Sequence, residues 1–196
     1  MEEVVENKMN IKGTVKEIIQ TAVVSLGIFF FVYVFLVQPH RVKGESMTPN
    51  FKDGELLLVE KVSYRIYKPS RGDVIVFKAP GSANVDFIKR VIGVPGENVK
   101  VENGTVYIND KKLNEPYEKQ ETRGDININL GNNQYFVLGD NRGGSSDSRV
   151  FGPIDRNTIE GKAWFVYWPL IKNNQSEGAR ILLRVDYGVP DSFYNP

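Results

Sequence analysis

A stretch of twenty residues without a charge, from Ile18 to Val37, argues against a wholly soluble protein. As an α-helix it would be about 30 Å long, close to the hydrocarbon thickness of a bilayer. A buried core helix usually carries a polar stripe, and the run from Gly27 to Val37 has none. A cleavable secretory signal usually has a shorter apolar region followed by small residues, whereas this stretch ends in Gln38-Pro39-His40-Arg41. We therefore predict an uncleaved membrane anchor.

Basic residues flank this anchor on both sides, three before it and two after it, namely Lys8, Lys12, Lys16, Arg41 and Lys43. The small excess on the N-terminal side favours a cytoplasmic N terminus. The predicted organisation is a short cytoplasmic segment (1–17), a transmembrane anchor (18–37) and an extracytoplasmic β-rich domain (38–196), all held at the cytoplasmic membrane.

The part after the anchor carries mostly strand signals. Short runs rich in β-branched and aromatic residues, separated by Gly, Pro and Asp, predict strands at 55–59, 73–77, 85–94, 99–102, 105–108, 126–130, 134–138, 163–168 and 180–185. The pair Asn103-Gly104 between two of these runs predicts a hairpin with a type I′ turn. The predicted fold class is mostly β, a folded antiparallel sheet or barrel-like domain attached to one helix.

Charge and rare residue types exclude several functions. The chain has 25 basic and 24 acidic residues, which does not suit a nucleic-acid binder. It has no cysteine and a single histidine, His40, so it offers neither thiolate chemistry nor an ordinary zinc-peptidase site. A Ser-His-Asp triad would need His40 as its base. For peptide hydrolysis, serine with lysine or a pair of carboxylates remains.

Ser46 is the first candidate for such chemistry. It lies in Gly44-Glu45-Ser46-Met47-Thr48-Pro49, just beyond the anchor. A serine between glycine and proline in a tight loop can be exposed, with backbone N–H groups beside it that could stabilise an oxyanion. The same hexapeptide also fits an ordinary turn serine.

Lys89 is the second candidate. In the run from Val85 to Val94, a period of two puts Phe87, Lys89 and Val91 on one face. Apolar neighbours disfavour the charged ammonium, so a lysine held there loses its proton more readily and could serve as a base. A lysine on an edge strand that extends its amine into water is the alternative.

A third candidate segment, 139–152, is dense in glycine, hydroxyl groups and opposite charges. It predicts a loop pinned by Asp–Arg pairs. It could also supply a hydroxyl that orients the lysine amine, although a merely solvated loop has the same composition.

Together these segments resemble bacterial type I signal peptidases, in a short Gram-positive-like form. The family's motifs occur in its usual order after one membrane span, as Ser46-Met47-Thr48-Pro49, Gly72-Asp73-Val74-Ile75-Val76-Phe77, Lys89-Arg90-Val91-Ile92-Gly93-Val94-Pro95-Gly96-Glu97, and Gly139-Asp140-Asn141-Arg142 followed by Ser145, Asp147, Ser148 and Arg149. The resemblance covers roughly residues 14–170 and implies a mostly-β catalytic domain without a cofactor.

The resemblance also implies roles for single residues. Ser46 would be the nucleophile and its N–H part of the oxyanion hole, and Lys89 would be the general base. Ser145 would orient the lysine, while Asp147 and Arg149 would brace their loop. Gly44 stands where some relatives carry a serine hydroxyl, which leaves the second oxyanion donor open.

The implied substrates are signal peptides of exported preproteins with small residues at −1 and −3. Membrane lipid and, indirectly, the Sec-type export machinery would be partners. Two other functions fit parts of the sequence: a Ser-Lys peptidase resembling the self-cleaving SOS-response repressors, and an inactive anchored β-domain that only binds. The SOS-response repressors are soluble and bind DNA, whereas this chain has a predicted membrane span.

The short distance from the anchor to the nucleophile places the reaction near the membrane. Ser46 follows Val37 by nine positions, at most about 30 Å of extended chain. Met47, Phe51, Trp164 and Trp168 are therefore candidates for the membrane interface, although core packing is the favoured interpretation of both tryptophans.

Overall fold

A computed structural model describes residues 11–82, 84–116, 120–172 and 176–182. The chain divides into two units, residues 1–36 and 37–196. The first contains helix α1 (Ile11–Phe35). Within the described ranges it is the one helix long and apolar enough to cross a membrane, over Gly13–Tyr33 with a mean hydropathy of 1.8 and no buried part. The helix begins before the uncharged stretch, and Val37 is already the first residue of a strand.

The second unit is built on antiparallel strands. The larger sheet contains β1 (Val37–Arg41), β2 (Leu56–Glu60), β3 (Val74–Lys78), β4 (Asp86–Gly93), β9 (Gln134–Leu138), β10 (Ile154–Asp155), β11 (Ile159–Trp168) and β12 (Arg180–Ile181). Its strands follow the order β1-β2-β11-β3-β4-β9-β10, and β12 pairs with β11. Short helices lie at Ser63–Ile66 (α2) and Ser148–Phe151 (α3), with a 3-10 turn at Arg156–Thr158.

A smaller sheet of four strands contains β5 (Asn98–Glu102), β6 (Thr105–Ile108), β7 (Lys111–Lys112) and β8 (Ile126–Asn129), in the order β7-β6-β5-β8. The β5–β6 connection is the predicted hairpin: Asn103 and Gly104 have φ of 50° and 77°, the positive values that a type I′ turn requires. The prediction of a mostly-β antiparallel fold with one N-terminal apolar helix is confirmed. Of the strand predicted at 180–185, residues 183–185 lie outside the described part of the chain.

Three buried clusters form the core. One lies against the smaller sheet, where Val101 of β5 packs with Ile92 of β4 and Phe136 of β9. The other two lie around Val59, Val76 and Val166 and around Ile75, Phe77 and Val137. Neighbouring residues of β3 therefore belong to different clusters, because side chains alternate across a strand. Apolar residues on both sides hold β3 and its neighbour β4 rigidly, and β4 carries Lys89.

Of the four residues considered for the membrane interface, two are buried and two are exposed. Met47 and Phe51 are buried in the core, at 0% and 2% exposed, and do not lie at a surface. Trp164 and Trp168 are 45% and 53% exposed, so the favoured prediction of core packing was wrong for both. Strand β11 has irregular register at Ala163/Phe165 and Val166/Trp168. Trp164 faces outward by alternation with the buried Ile159, Gly161 and Ala163, and the bulges then turn Val166 inward and Trp168 outward.

Candidate active site

Ser46 and Lys89 meet at the surface of the β-rich unit. Ser46 lies in the loop between β1 and β2, and Lys89 lies on β4, which is flanked by β3 and β9 and is not an edge strand. The Lys89 Nζ is 2.7 Å from the Ser46 Oγ and donates to the Ile88 carbonyl at 2.9 Å. This is the contact that a serine nucleophile and its general base require.

The surroundings of Lys89 favour its neutral form. The side chain is only 4% exposed, so water solvates its ammonium poorly. Burial lowers the pKa of Lys89 to about 8, although the nearby carboxylates of Asp147 and Asp140 act in the opposite direction. Near neutral pH a useful fraction of the amine is therefore unprotonated and can accept a proton.

A groove of about 230 Å³ opens beside this pair. Its lining includes Ser46 and Lys89, and much of the rest is apolar, with Val42, Leu57, Val76, Phe87 and Ile88. The groove therefore has space for small apolar side chains of a substrate, next to the hydroxyl of Ser46 and the amine of Lys89.

The backbone at the nucleophile is arranged differently at Gly44 and Ser46. The Gly44 N–H donates to Asp53 Oδ1 at 2.7 Å, and Gly44 has a φ of 83°. Glycine is thus needed there for the turn, since a side chain disfavours this conformation. No hydrogen bond among the described residues uses the Ser46 N–H. Of the two groups, the Ser46 N–H is the one available to an oxyanion.

The loop at 139–149 packs directly on the nucleophile. The Asn141 N–H donates to the Ser46 carbonyl at 3.0 Å, and the Asn141 side chain donates to the Glu45 carbonyl at 3.0 Å. A side chain at Gly139 would come within 2.2 Å of the Ser145 Oγ and 2.4 Å of the Ser46 carbonyl oxygen. Only glycine allows the two loops to approach so closely.

Asp147 and Arg149 form an ion pair within this loop, and their role as a brace remains a prediction. The Asp147 carboxylate is fully buried and accepts from Arg149 Nε at 2.8 Å and from the Gly139 N–H at 3.0 Å. Arg149 also donates to the Arg142 carbonyl at 2.7 Å. The pair therefore ties the two ends of the loop to each other.

Ser145 does not make the hydrogen bond to Lys89 that the resemblance implies. Its hydroxyl is buried and has no hydrogen-bond partner within the described residues, so the implied bond to Lys89 is not formed here. Two groups, Ser46 Oγ and the Ile88 carbonyl, already surround the amine. The role of Ser145 as the residue that orients Lys89 remains a prediction.

A second buried ion pair escaped the sequence interpretation. Arg90, next to Lys89, binds Asp140 through two hydrogen bonds of 2.8 and 2.6 Å. Asn50, four residues after Ser46, donates to the same carboxylate at 3.0 Å. Arg90 and Asp140 both lie inside the motifs quoted above. They are 50 residues apart in the chain, so only the fold shows that they are paired.

Metal and histidine chemistry find no support at this site. Across the described ranges no three His, Cys, Asp or Glu side chains are grouped to hold a metal ion. His40 lines the groove, but its Nδ1 faces Asp86 at 3.9 Å, and the amine beside Ser46 belongs to Lys89.

Comparisons with known proteins agree with the motifs. Residues 15–168 match the family described as "Signal peptidase, peptidase S26". Signal peptidase IB of Staphylococcus aureus (strain COL) is 42% identical over 177 residues, covering 81% of this chain and 92% of that protein. Signal peptidase I of Bacillus licheniformis is 34% identical over 176 residues, covering 84% and 94% respectively. A crystal structure of a signal peptidase I from Enterococcus faecalis V583 is 35% identical with a TM-score of 0.45, covering 50% of this chain and 97% of that one.

Proposed function

The chain belongs to the signal peptidase family, peptidase S26, and on that premise we propose that Ser46 and Lys89 are its catalytic pair. As a signal peptidase I, it is a serine endopeptidase that removes signal peptides from secreted preproteins. The observation that carries the residue assignment is the 2.7 Å contact between the Lys89 amine and the Ser46 hydroxyl.

The proposed reaction has two halves. Ser46 Oγ bonds to the carbonyl carbon of the scissile peptide while Lys89 takes the hydroxyl proton, and the Ser46 N–H stabilises the oxyanion. The C–N bond then breaks, and Lys89 returns that proton to the leaving amine. Water next attacks the carbonyl carbon of the acyl-enzyme while Lys89 accepts a proton from it. The ester C–O bond to Ser46 then breaks, Lys89 returns the proton to Ser46 Oγ, and the carboxylate product leaves. Asp147 and Arg149 hold the loop beside the pair.

We propose that the groove binds the small residues at positions −1 and −3 of the signal peptide. It has a volume of about 230 Å³ and apolar walls that include Val42, Leu57 and Ile88, which suit apolar side chains of a substrate. The preference for small residues over larger ones rests on the family resemblance.

The enzyme is a single-pass membrane protein whose β-rich unit is extracytoplasmic. We propose residues 1–17 as a cytoplasmic segment and the apolar stretch as the anchor. Trp164 and Trp168 supply an exposed aromatic pair suited to membrane lipid. The export machinery would act only by delivering preproteins.

A cleavage assay tests this assignment. The full chain in detergent is incubated with a preprotein carrying alanine at −1 and −3, and the cut is located by mass spectrometry. We expect one cut after −1, none with phenylalanine at −1, and none with Ser46→Ala. If the wild-type chain binds the preprotein without cutting it, the alternative of an inactive binding domain is correct.

A further inference from the structure

A further carboxylate–arginine pair, between the buried Glu55 and the partly exposed Arg180, lies next to the nucleophile loop. Glu55 is 1% exposed and accepts from Arg180 Nη1 at 2.9 Å and Nη2 at 2.7 Å. Ser176 donates to the same carboxylate. Burial alone would raise the pKa of Glu55, but hydrogen bonds from Arg180 and Ser176 outweigh it and lower that pKa, so the carboxylate stays ionised.

The same guanidinium also touches the nucleophile loop directly. Arg180 Nη2 donates to the Asn50 carbonyl at 2.6 Å, and the guanidinium lies 5.5 Å from the centre of the Phe51 ring. These residues close the loop that starts at Ser46, because the Phe51 N–H donates to the Met47 carbonyl at 2.8 Å. Arg180 therefore fixes the far end of the loop by a hydrogen bond, a ring contact and an ion pair.

The segment that carries Arg180 is itself anchored. Arg180 pairs with Val166 across β11 and β12, and the Leu182 N–H donates to the Trp164 carbonyl at 2.9 Å. Leu182 packs against the cluster that contains Met47 and Phe51. The family match ends at residue 168, so this segment lies beyond the part of the chain that it covers.

We propose that Arg180 is a positioning residue, which holds the nucleophile loop through Glu55 and Asn50 so that Ser46 Oγ stays within reach of Lys89. The proposal rests on the catalytic role of Ser46. Asn50 links Arg180 to the other side of the site as well, since its side chain donates to Asp140, the partner of Arg90. A shift of the loop of about 1 Å would suffice to lower turnover strongly, because reacting groups tolerate little misplacement.

The chain offers a matched control. Arg71 forms the same kind of fork, with Glu97 at 2.8 and 2.6 Å, and donates to the Ile92 carbonyl. Replacing arginine by lysine keeps the charge at either place but removes the paired donors, so both variants should lose stability. Only Arg180→Lys should misplace the nucleophile.

The test compares the full-length wild-type, Arg180→Lys, Arg71→Lys and Ser46→Ala chains in detergent. We measure Tm, then kcat and KM on one signal-peptide substrate well below the lowest Tm. For Arg180→Lys we expect kcat to fall about 10- to 100-fold, with KM changed less than about twofold and the pH midpoint of activity unmoved. Arg71→Lys should lower Tm comparably while keeping kcat within about twofold of wild type.

Several results would overturn the proposal. These are wild-type kcat in Arg180→Lys, equal kcat losses in both arginine variants, or a shifted pH midpoint that would place the effect on Lys89. If Arg180→Lys does not fold, Glu55→Gln takes its place, because it keeps the size of the side chain but removes the charge that holds the Arg180 guanidinium; an unchanged kcat there contradicts the proposal. Cleavage by Ser46→Ala would instead contradict the catalytic pair itself, so the two failures are distinguishable.

Discussion

The amine of Lys89 lies 2.7 Å from the hydroxyl of Ser46, although 43 residues separate them in the chain. Lys89 is held on a strand between two others, whereas Ser46 sits in a loop fixed by hydrogen bonds from Asn141. The base, Lys89, is thus held within a sheet, whereas the position of the nucleophile, Ser46, depends on the loops around it. The predictions below separate these contributions.

Ser46→Ala and Lys89→Ala should each lower preprotein cleavage by about three orders of magnitude or more. The two groups act as one unit, so the double variant should be no slower than either single one. Lys89→Arg should fail as well, because a guanidinium stays protonated. Circular dichroism serves as the control for folding. Losses that multiply in the double variant would show that the two residues act independently.

Activity should depend on the proton of Lys89. Burial lowers the pKa of Lys89 to about 8, and only the neutral amine is a base. Initial rates should therefore rise about tenfold per pH unit below that value and level off above it. Burial also lowers the pKa of His40, so that group loses its proton below its usual range. His40→Ala should leave the midpoint in place, and a midpoint lost with His40 would refute the mechanism.

The same proton should affect stability. The folded pKa of Lys89, about 8, lies below the unfolded value of 10.5, so between these pH values the unfolded chain holds a proton that the folded chain lacks. Stability from this group must rise with pH across that window, by about 2 kcal/mol from pH 7 to 10. Urea unfolding should show this rise in the wild type relative to Lys89→Met. Parallel pH curves for the two proteins would contradict it.

The variant Asp147→Asn should distinguish the effect of Asp147 on stability from its effect on the pKa of Lys89. Loss of the Asp147 charge leaves Arg149 without a buried partner and lowers the unfolding free energy by about 3 kcal/mol. It also removes an interaction that raises the pKa of Lys89, so the pH midpoint of the remaining activity should move to lower pH. Asp155→Asn is a matched control, because Asp155 caps a distant turn at Asn157. An upward shift, or the same shift in both variants, would refute this role.

Local patterns predicted the parts of the site that depend on neighbours in sequence. Alternation in the run from Val85 to Val94 placed Lys89 among apolar side chains, and the residue is buried. The Asn103-Gly104 pair predicted its hairpin because the turn needs two residues with positive φ.

Other features depend on contacts between distant parts of the chain. Arg180 and Glu55 are 125 residues apart, and no local pattern marks either as half of a pair. The exposure of Trp168 follows from the bulges in β11, which composition does not reveal. The absent Ser145–Lys89 bond likewise depends on where the amine finds its acceptors.

The exposed tryptophans predict that the β-rich unit binds lipid without its anchor. A chain lacking residues 1–36 should still cleave a signal-peptide substrate, less efficiently than the full chain, and should float with vesicles of phosphatidylethanolamine and phosphatidylglycerol. Changing Trp164 and Trp168 to serine should abolish flotation, because both rings are about half exposed and indoles favour the interface. Tyr67→Ser is the control, since Tyr67 is 70% exposed and lies outside β11. A truncated chain that ignores vesicles and keeps full turnover would show that α1 alone accounts for membrane binding.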